Sequence, residues 1–148
     1  MKIEYWTEAE RLTPLVTEWY KEQNGSDFGV HTDVDVYIKG TDICLKTYGG
    51  AILVMLDETK AIGFLTLIVV PSELGNQLWA HEKGWYVLPN TRSGMRLYRQ
   101  AEKWCKENGC SHLVMSASNL ASNLHDKVCR FYDHMGMQKF ETSYIKEL

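Results

Sequence analysis

The sequence has no run of Lys and Arg long enough to track a nucleic-acid backbone, and its 16 basic and 19 acidic residues leave a net charge of −3. Duplex nucleic acid is therefore not an expected partner. Long apolar runs are missing too. The longest, from Ile62 to Pro71, falls far short of the roughly 20 residues that a membrane helix needs. The start, MKIEYWTEAE, lacks a charged and then apolar signal segment, so a cytoplasmic location and no membrane association are expected. Cys44, Cys105, Cys110 and Cys129 form no CxxC pair, and the histidines nearest to them do not complete a zinc-finger spacing. Reduced, mostly buried thiols and no metal are the reading. His31, His112 and His134 share no ligand spacing and are taken as structural.

What is present is globular in character. Apolar residues make up 45% of the chain and charged residues 24%, which excludes a disordered, collagen-like or repeat architecture. A length of 148 residues suits one domain spanning residues 1–148, with one sizeable core.

Lys2 to Tyr5 alternate as a short strand, and Thr7 is placed as an N-cap for a helix carrying Leu12, Leu15, Val16, Trp19 and Tyr20, with Pro14 near its start. Thr32 to Tyr48 has weaker helical spacing, with Val36, Ile38, Ile43, Cys44 and Leu45 as its candidate inner face and Gly40 as a place where it could split. AILVMLDETKAIGFLTLIVV reads as a hairpin around DETK, and Gln77 to Pro89 as a third strand. Met95, Leu97, Tyr98, Ala101, Trp104 and Cys105 define the strongest helix, stopped by Gly109. HLVMSAS is a further strand, LHDKVCRFYDHMG an amphipathic helix, and MQKFETSYIKEL is expected to form one or two closing strands. The class is α/β (α+β), with a mixed, mostly antiparallel central sheet and about four flanking helices.

YVLPNTRSGMRL, from Tyr86 to Leu97, resembles the acetyl-CoA-binding segment of the GNAT-type N-acetyltransferases, in which a strand ending in an apolar-Pro step passes through a Gly-containing loop into a helix. RFYDHMGMQKFETSYIKEL is similar to that family's final helix and strands, and the chain looks like its short bacterial or bacteriophage members. The resemblance implies acetyl-CoA as co-substrate and an N-acetyltransferase activity toward a primary amine, which is a small molecule or a protein. A homodimer is also among the expected partnerships. The loop departs from the usual spacing: counting from Gly94 puts Thr91 first and Arg96 last, so it is shortened or rebuilt.

Physical chemistry supports the same placement. A helix N-terminus offers unpaired N–H groups and about half an elementary charge, which suits a diphosphate. Arg92, Ser93, Gly94, Met95 and Arg96 supply that start, with the two arginines adding charge. Backbone groups of Trp85, Tyr86, Val87 and Leu88 are expected to pair with the pantetheine arm as an added strand would, beyond a bulge permitted by Gly84. By resemblance, Tyr132 protonates the departing thiolate, and His125 stands where the family often has an Asn on the pantetheine arm, with Asn119 and Asn123 as alternative donors. His81 and Glu82 are both candidates for the base, and on a regular strand they point to opposite faces. The alternative function is a catalytically inactive GNAT-like binding or inhibitor protein. For that role an exposed subset of Trp6, Trp19, Trp79, Trp85 and Trp104 would form the partner surface.

Overall fold

The computed structural model describes residues 1–148. β1 (Lys2–Trp6) leads through a 3-10 turn (Ala9–Leu12) into α1 (Thr13–Lys21), with Pro14 in the first turn, where its missing N–H goes unnoticed. Thr7 is not the cap: Glu8 precedes the 3-10 turn, with no side-chain cap bond. α2 (Val34–Tyr48) is one helix, undivided at Gly40, and Asp33 caps it by accepting from the N–H groups of Asp35 at 2.9 Å and Val36 at 3.2 Å. Its inner face is rotated from the expected one. Ile38 and Thr41 are buried and Tyr37 and Leu45 pack on the core, while Val36 and Ile43 are 67% and 64% exposed. With apolar residues on several sides of the helix, contact with α1 and the sheet selects the stripe.

β2 (Gly50–Asp57), β3 (Lys60–Pro71) and β4 (Leu78–Val87) follow, then α3 (Gly94–Glu107), β5 (Cys110–Val114) and α4 (His125–His134). The five strands lie in sequence order in one sheet. All neighbours are antiparallel except β4 and β5, whose parallel pairing requires the crossover that α3 supplies. Gly109, at φ +74°, ends α3 as its position implied.

β2 is buried on both faces, so its alternation divides side chains between two cores. Ile52, Val54 and Leu56 join α1, Ile38, Phe64 and Tyr86 on one side. Ala51, Leu53 and Met55 join Leu65, Leu67 and the α3 residues Leu97, Ala101 and Cys105 on the other.

The closing strands expected in MQKFETSYIKEL are not formed. No strand follows β5, residues 138–148 are exposed throughout, and Met137 makes the segment's backbone bond, back to the Tyr132 carbonyl at 3.0 Å. Phe140 touches the edge of Trp79, yet no ladder forms, and alternation without a pairing edge does not make a strand. No helix is long and apolar enough to cross a membrane.

Candidate functional site

The sheet opens between β4 and β5. Their pairing runs from Leu78 with Cys110 to His81 with Val114 and stops, while β4 continues to Val87 without that neighbour. Just beyond, the β3–β4 register jumps from Leu67 opposite Glu82 to Thr66 opposite Gly84, which leaves Lys83 as the extra residue of a bulge. The space where Gly84 lacks a side chain is filled from α2. A Cβ there would collide with the Tyr37 hydroxyl and press on Phe64 and Trp19. That hydroxyl donates to the Lys83 carbonyl at 3.0 Å, tying α2 to the bulge.

Past the bulge, backbone direction decides which groups are free. Leu88 N–H bonds to the Ile62 carbonyl at 2.8 Å, so by antiparallel alternation Leu88, Tyr86 and Gly84 turn their N–H and C=O groups toward β3. Trp85 and Val87 turn theirs toward the edge that β5 has left. Of the expected stretch Trp85 to Leu88, then, Trp85 and Val87 offer their backbone to the gap, and Tyr86 and Leu88 do not. The Tyr86 ring lies on the other face against Trp19, with its hydroxyl 3.4 Å from Glu22.

Glu82 sits where the strands part. Burial pushes its carboxyl up to about 7, and a bond from the Ser116 backbone opposes the rise. Its charge is felt by two phenols, Tyr37 from α2 and Tyr132 from α4. The Tyr132 hydroxyl donates to the Ser116 carbonyl at 2.8 Å, and its ring stacks on Trp85 at 6.3 Å. Burial first, and the Glu82 charge second, hold that phenol above its ordinary value, so it stays protonated. His81 instead packs near Trp79 at 6.3 Å, with the neighbouring strand position turned away from it.

The start of α3 borders the same gap. Ser93 occupies the N-cap without a side-chain cap bond, and the first backbone bond is from Leu97 N–H to the Ser93 carbonyl at 3.2 Å. The N–H groups of Gly94, Met95 and Arg96 therefore have no intrahelical acceptor. The Ser93 hydroxyl and the Trp85 indole N–H are both buried without a partner. A Cβ on Gly94 would stand 3.5 Å from Trp85 Cζ2 and 3.7 Å from Val87, an ordinary contact, so this glycine faces the indole and not the open side. These orphaned donors and the open backbone edge fit the diphosphate and amide groups of CoA.

Other expected residues face solvent or have partners of their own. Arg96 donates to the Met1 carbonyl at 3.2 Å, and Arg92 is exposed. Asn119 and Asn123 are tied to Asn24 at the end of α1, through the Asn119 carbonyl at 3.1 Å and the Asn123 side chain at 2.9 Å. His125 is paired with its neighbour Asp126 at 3.0 Å. Burial pushes the Cys105 thiol up to about 12, with Cys110 adding to the rise, and so removes it as a nucleophile.

On the opposite face a cleft of about 470 Å3, lined by Tyr20, Gln23, Asp33, Tyr37, Lys83 and Leu120 among others, reaches the same bulge. Sequence reasoning considered the Trp85 backbone but passed over its indole, and passed over Tyr37 and this cleft. The alternation of β4 beyond Gly84 was the available signal for Trp85, while Tyr37 and the cleft depend on the phase of α2.

A five-stranded mixed sheet, opened between its parallel pair beside a bare helix start, defines an acyl-CoA-type transferase scaffold. The model of the acetyltransferase (GNAT) family matches residues 13–137, and the chain belongs to that family. No curated protein matches the sequence. Among solved structures, the ribosomal-protein-alanine N-acetyltransferase of Brucella melitensis biovar Abortus 2308 is similar over 100% of both chains, at 15% identity and a TM-score of 0.71. A transcriptional regulator from Bacillus halodurans C-125 is similar over 99% of each chain, at 14% identity and a TM-score of 0.75. AAC(6')-Iy, in complex with the bisubstrate analogue CoA-S-monomethyl-acetylneamine, is similar over 99% of this chain and 97% of its own, at 17% identity and a TM-score of 0.72.

Proposed function

We propose that this protein moves an acetyl group from acetyl-CoA to a primary amine by direct attack, with no covalent enzyme intermediate. The observation that carries this reading is the end of β4–β5 pairing at His81, which leaves the Trp85 and Val87 backbone open beside a bare helix start, Glu82 and Tyr132. Bound acetyl-CoA supplies the activated acyl group. The open edge holds the amide-bearing arm as an added strand would, and the N–H groups of Gly94 to Arg96 take the diphosphate.

Glu82 removes the proton that an ammonium must lose before its nitrogen can attack, and a carboxyl near 7 is matched to that task at neutral pH. As the new C–N bond forms and the C–S bond breaks, Tyr132 turns its hydroxyl from the Ser116 carbonyl and gives the leaving thiolate a proton. The cleft on the α1–α2 face admits the acceptor, a small amine or a protein amine, toward the bulge. The relatives named for acting on a ribosomal-protein alanine and on aminoglycosides show how far acceptors range on this fold. Free thiols at all four cysteines agree with a cytoplasmic setting. No observation favours a non-catalytic binding role.

Labelled acetyl-CoA incubated with a panel of amines and with cell extract tests the reading. Label should pass to an amine with one thiol released per acetyl moved. Binding of acetyl-CoA with no transfer to any acceptor would argue against it.

A further inference from the structure

Trp85 carries two kinds of donor at one place, and the second is unaccounted for by the strand-like binding described above. Its backbone faces the vacant edge. Its indole N–H is shielded from solvent and has no partner, an unfavourable state for a buried donor. The ring lies against the first turn of α3, since Cε2, the atom bonded to the indole nitrogen, is 3.9 Å from the Cβ position of Gly94. At the same turn Ser93 is 1% exposed and its hydroxyl is likewise unpaired. The turn carries no acidic residue and no cap. Backbone N–H, hydroxyl and indole N–H donors on residues around one helix turn are thus all without an acceptor, a set that an anion could complete.

We propose that the Trp85 indole N–H is a side-chain ligand for a phosphate oxygen of CoA, closing the diphosphate site that α3 opens; this rests on the acetyl-CoA reading. The ring is held for the task by Tyr98 at 6.3 Å, Phe131 at 5.5 Å and Tyr132 at 6.3 Å, so the donor is fixed before the ligand arrives. It also links the diphosphate site to the proton donor, because the same indole stacks on Tyr132.

Calorimetric titration of the parent and of Trp85→Phe with CoA and with ADP, which shares the diphosphate but lacks the pantetheine arm, tests the assignment. Both ligands should bind the variant about tenfold more weakly. In the parent, one of the five indole N–H signals in a nitrogen-15 spectrum should move on adding CoA. That signal is the one lost in Trp85→Phe, or, if the variant does not fold, the one retained in each of the other four Trp→Phe variants. Equal affinities, or an unmoved Trp85 signal while CoA binds, overturn the indole contact and leave the acetyl-CoA reading standing. Weakening toward CoA alone overturns the phosphate assignment. Failure of the parent to bind CoA overturns the acetyl-CoA reading itself, and this inference with it.

Discussion

At the scale of single residues, burial gives Glu82 and Tyr132 opposite uses. It lifts the carboxyl to about 7, where it can both hold and release a proton, and lifts the phenol so that it is protonated before the thiolate leaves. The folded state thus favours protonated Glu82. Its contribution to stability is full below the ordinary value of 4.5 and is lost as pH rises through about 7. Glu82→Gln should melt near the parent temperature at pH 4 and above it at pH 8; a variant no more stable than the parent at pH 8 would show that the carboxylate is well accommodated. Its transfer rate should fall by about 10² or more, and the parent rate should rise through about pH 7. Tyr132→Phe loses the bond to the Ser116 carbonyl, worth about 1 kcal/mol. Transfer should fall by about 10² while CoA still binds. Turnover at the parent rate would reduce Tyr132 to a packing residue.

At the scale of elements, the β4 bulge is held from outside its own sheet. Gly84→Ala should destabilise the protein by about 1–3 kcal/mol in a urea melt, because the new methyl meets the Tyr37 hydroxyl. Tyr37→Phe removes the collision along with the bond to Lys83, so the glycine substitution should cost clearly less in that background. Additive losses would mean that Phe64 and Trp19 dominate the contact. Strong local patterns made most elements legible in advance. The Leu97, Tyr98, Ala101, Cys105 stripe and the stop at Gly109 describe α3, and the apolar run about DETK describes the hairpin. The phase of α2 was not legible, since Val36 and Ile43 are as apolar as Ile38, and only packing on the sheet chooses between them. The tail failed for a related reason: Phe140, Thr142, Tyr144 and Leu148 alternate as a strand would, but pairing is a property of two strands.

At the scale of the whole molecule, two cores share one wall, and the tail belongs to neither. Removal of residues 138–148 should shift the urea midpoint only slightly, because that segment is exposed and forms no ladder. A loss of several kcal/mol would show that it closes the sheet in solution. The candidate site was half legible. The α3 start was recognisable because strand, glycine loop and helix follow one another in sequence, whereas Tyr132 was named by family resemblance and Glu82 only as an alternative to His81. The Trp85 backbone was expected there but its indole was not, because an indole in an alternating strand looks like core until the partner strand is known to leave.

That departure also has a temporal side. Amides of β2, sealed between the two cores, should exchange with deuterium only when the whole chain unfolds. Those of Trp85 and Val87, pointing into a gap with no acceptor, have nothing to break before they exchange. A map of exchange rates on the ligand-free protein would therefore trace the binding edge as a fast line within a slow sheet, in advance of any substrate being found.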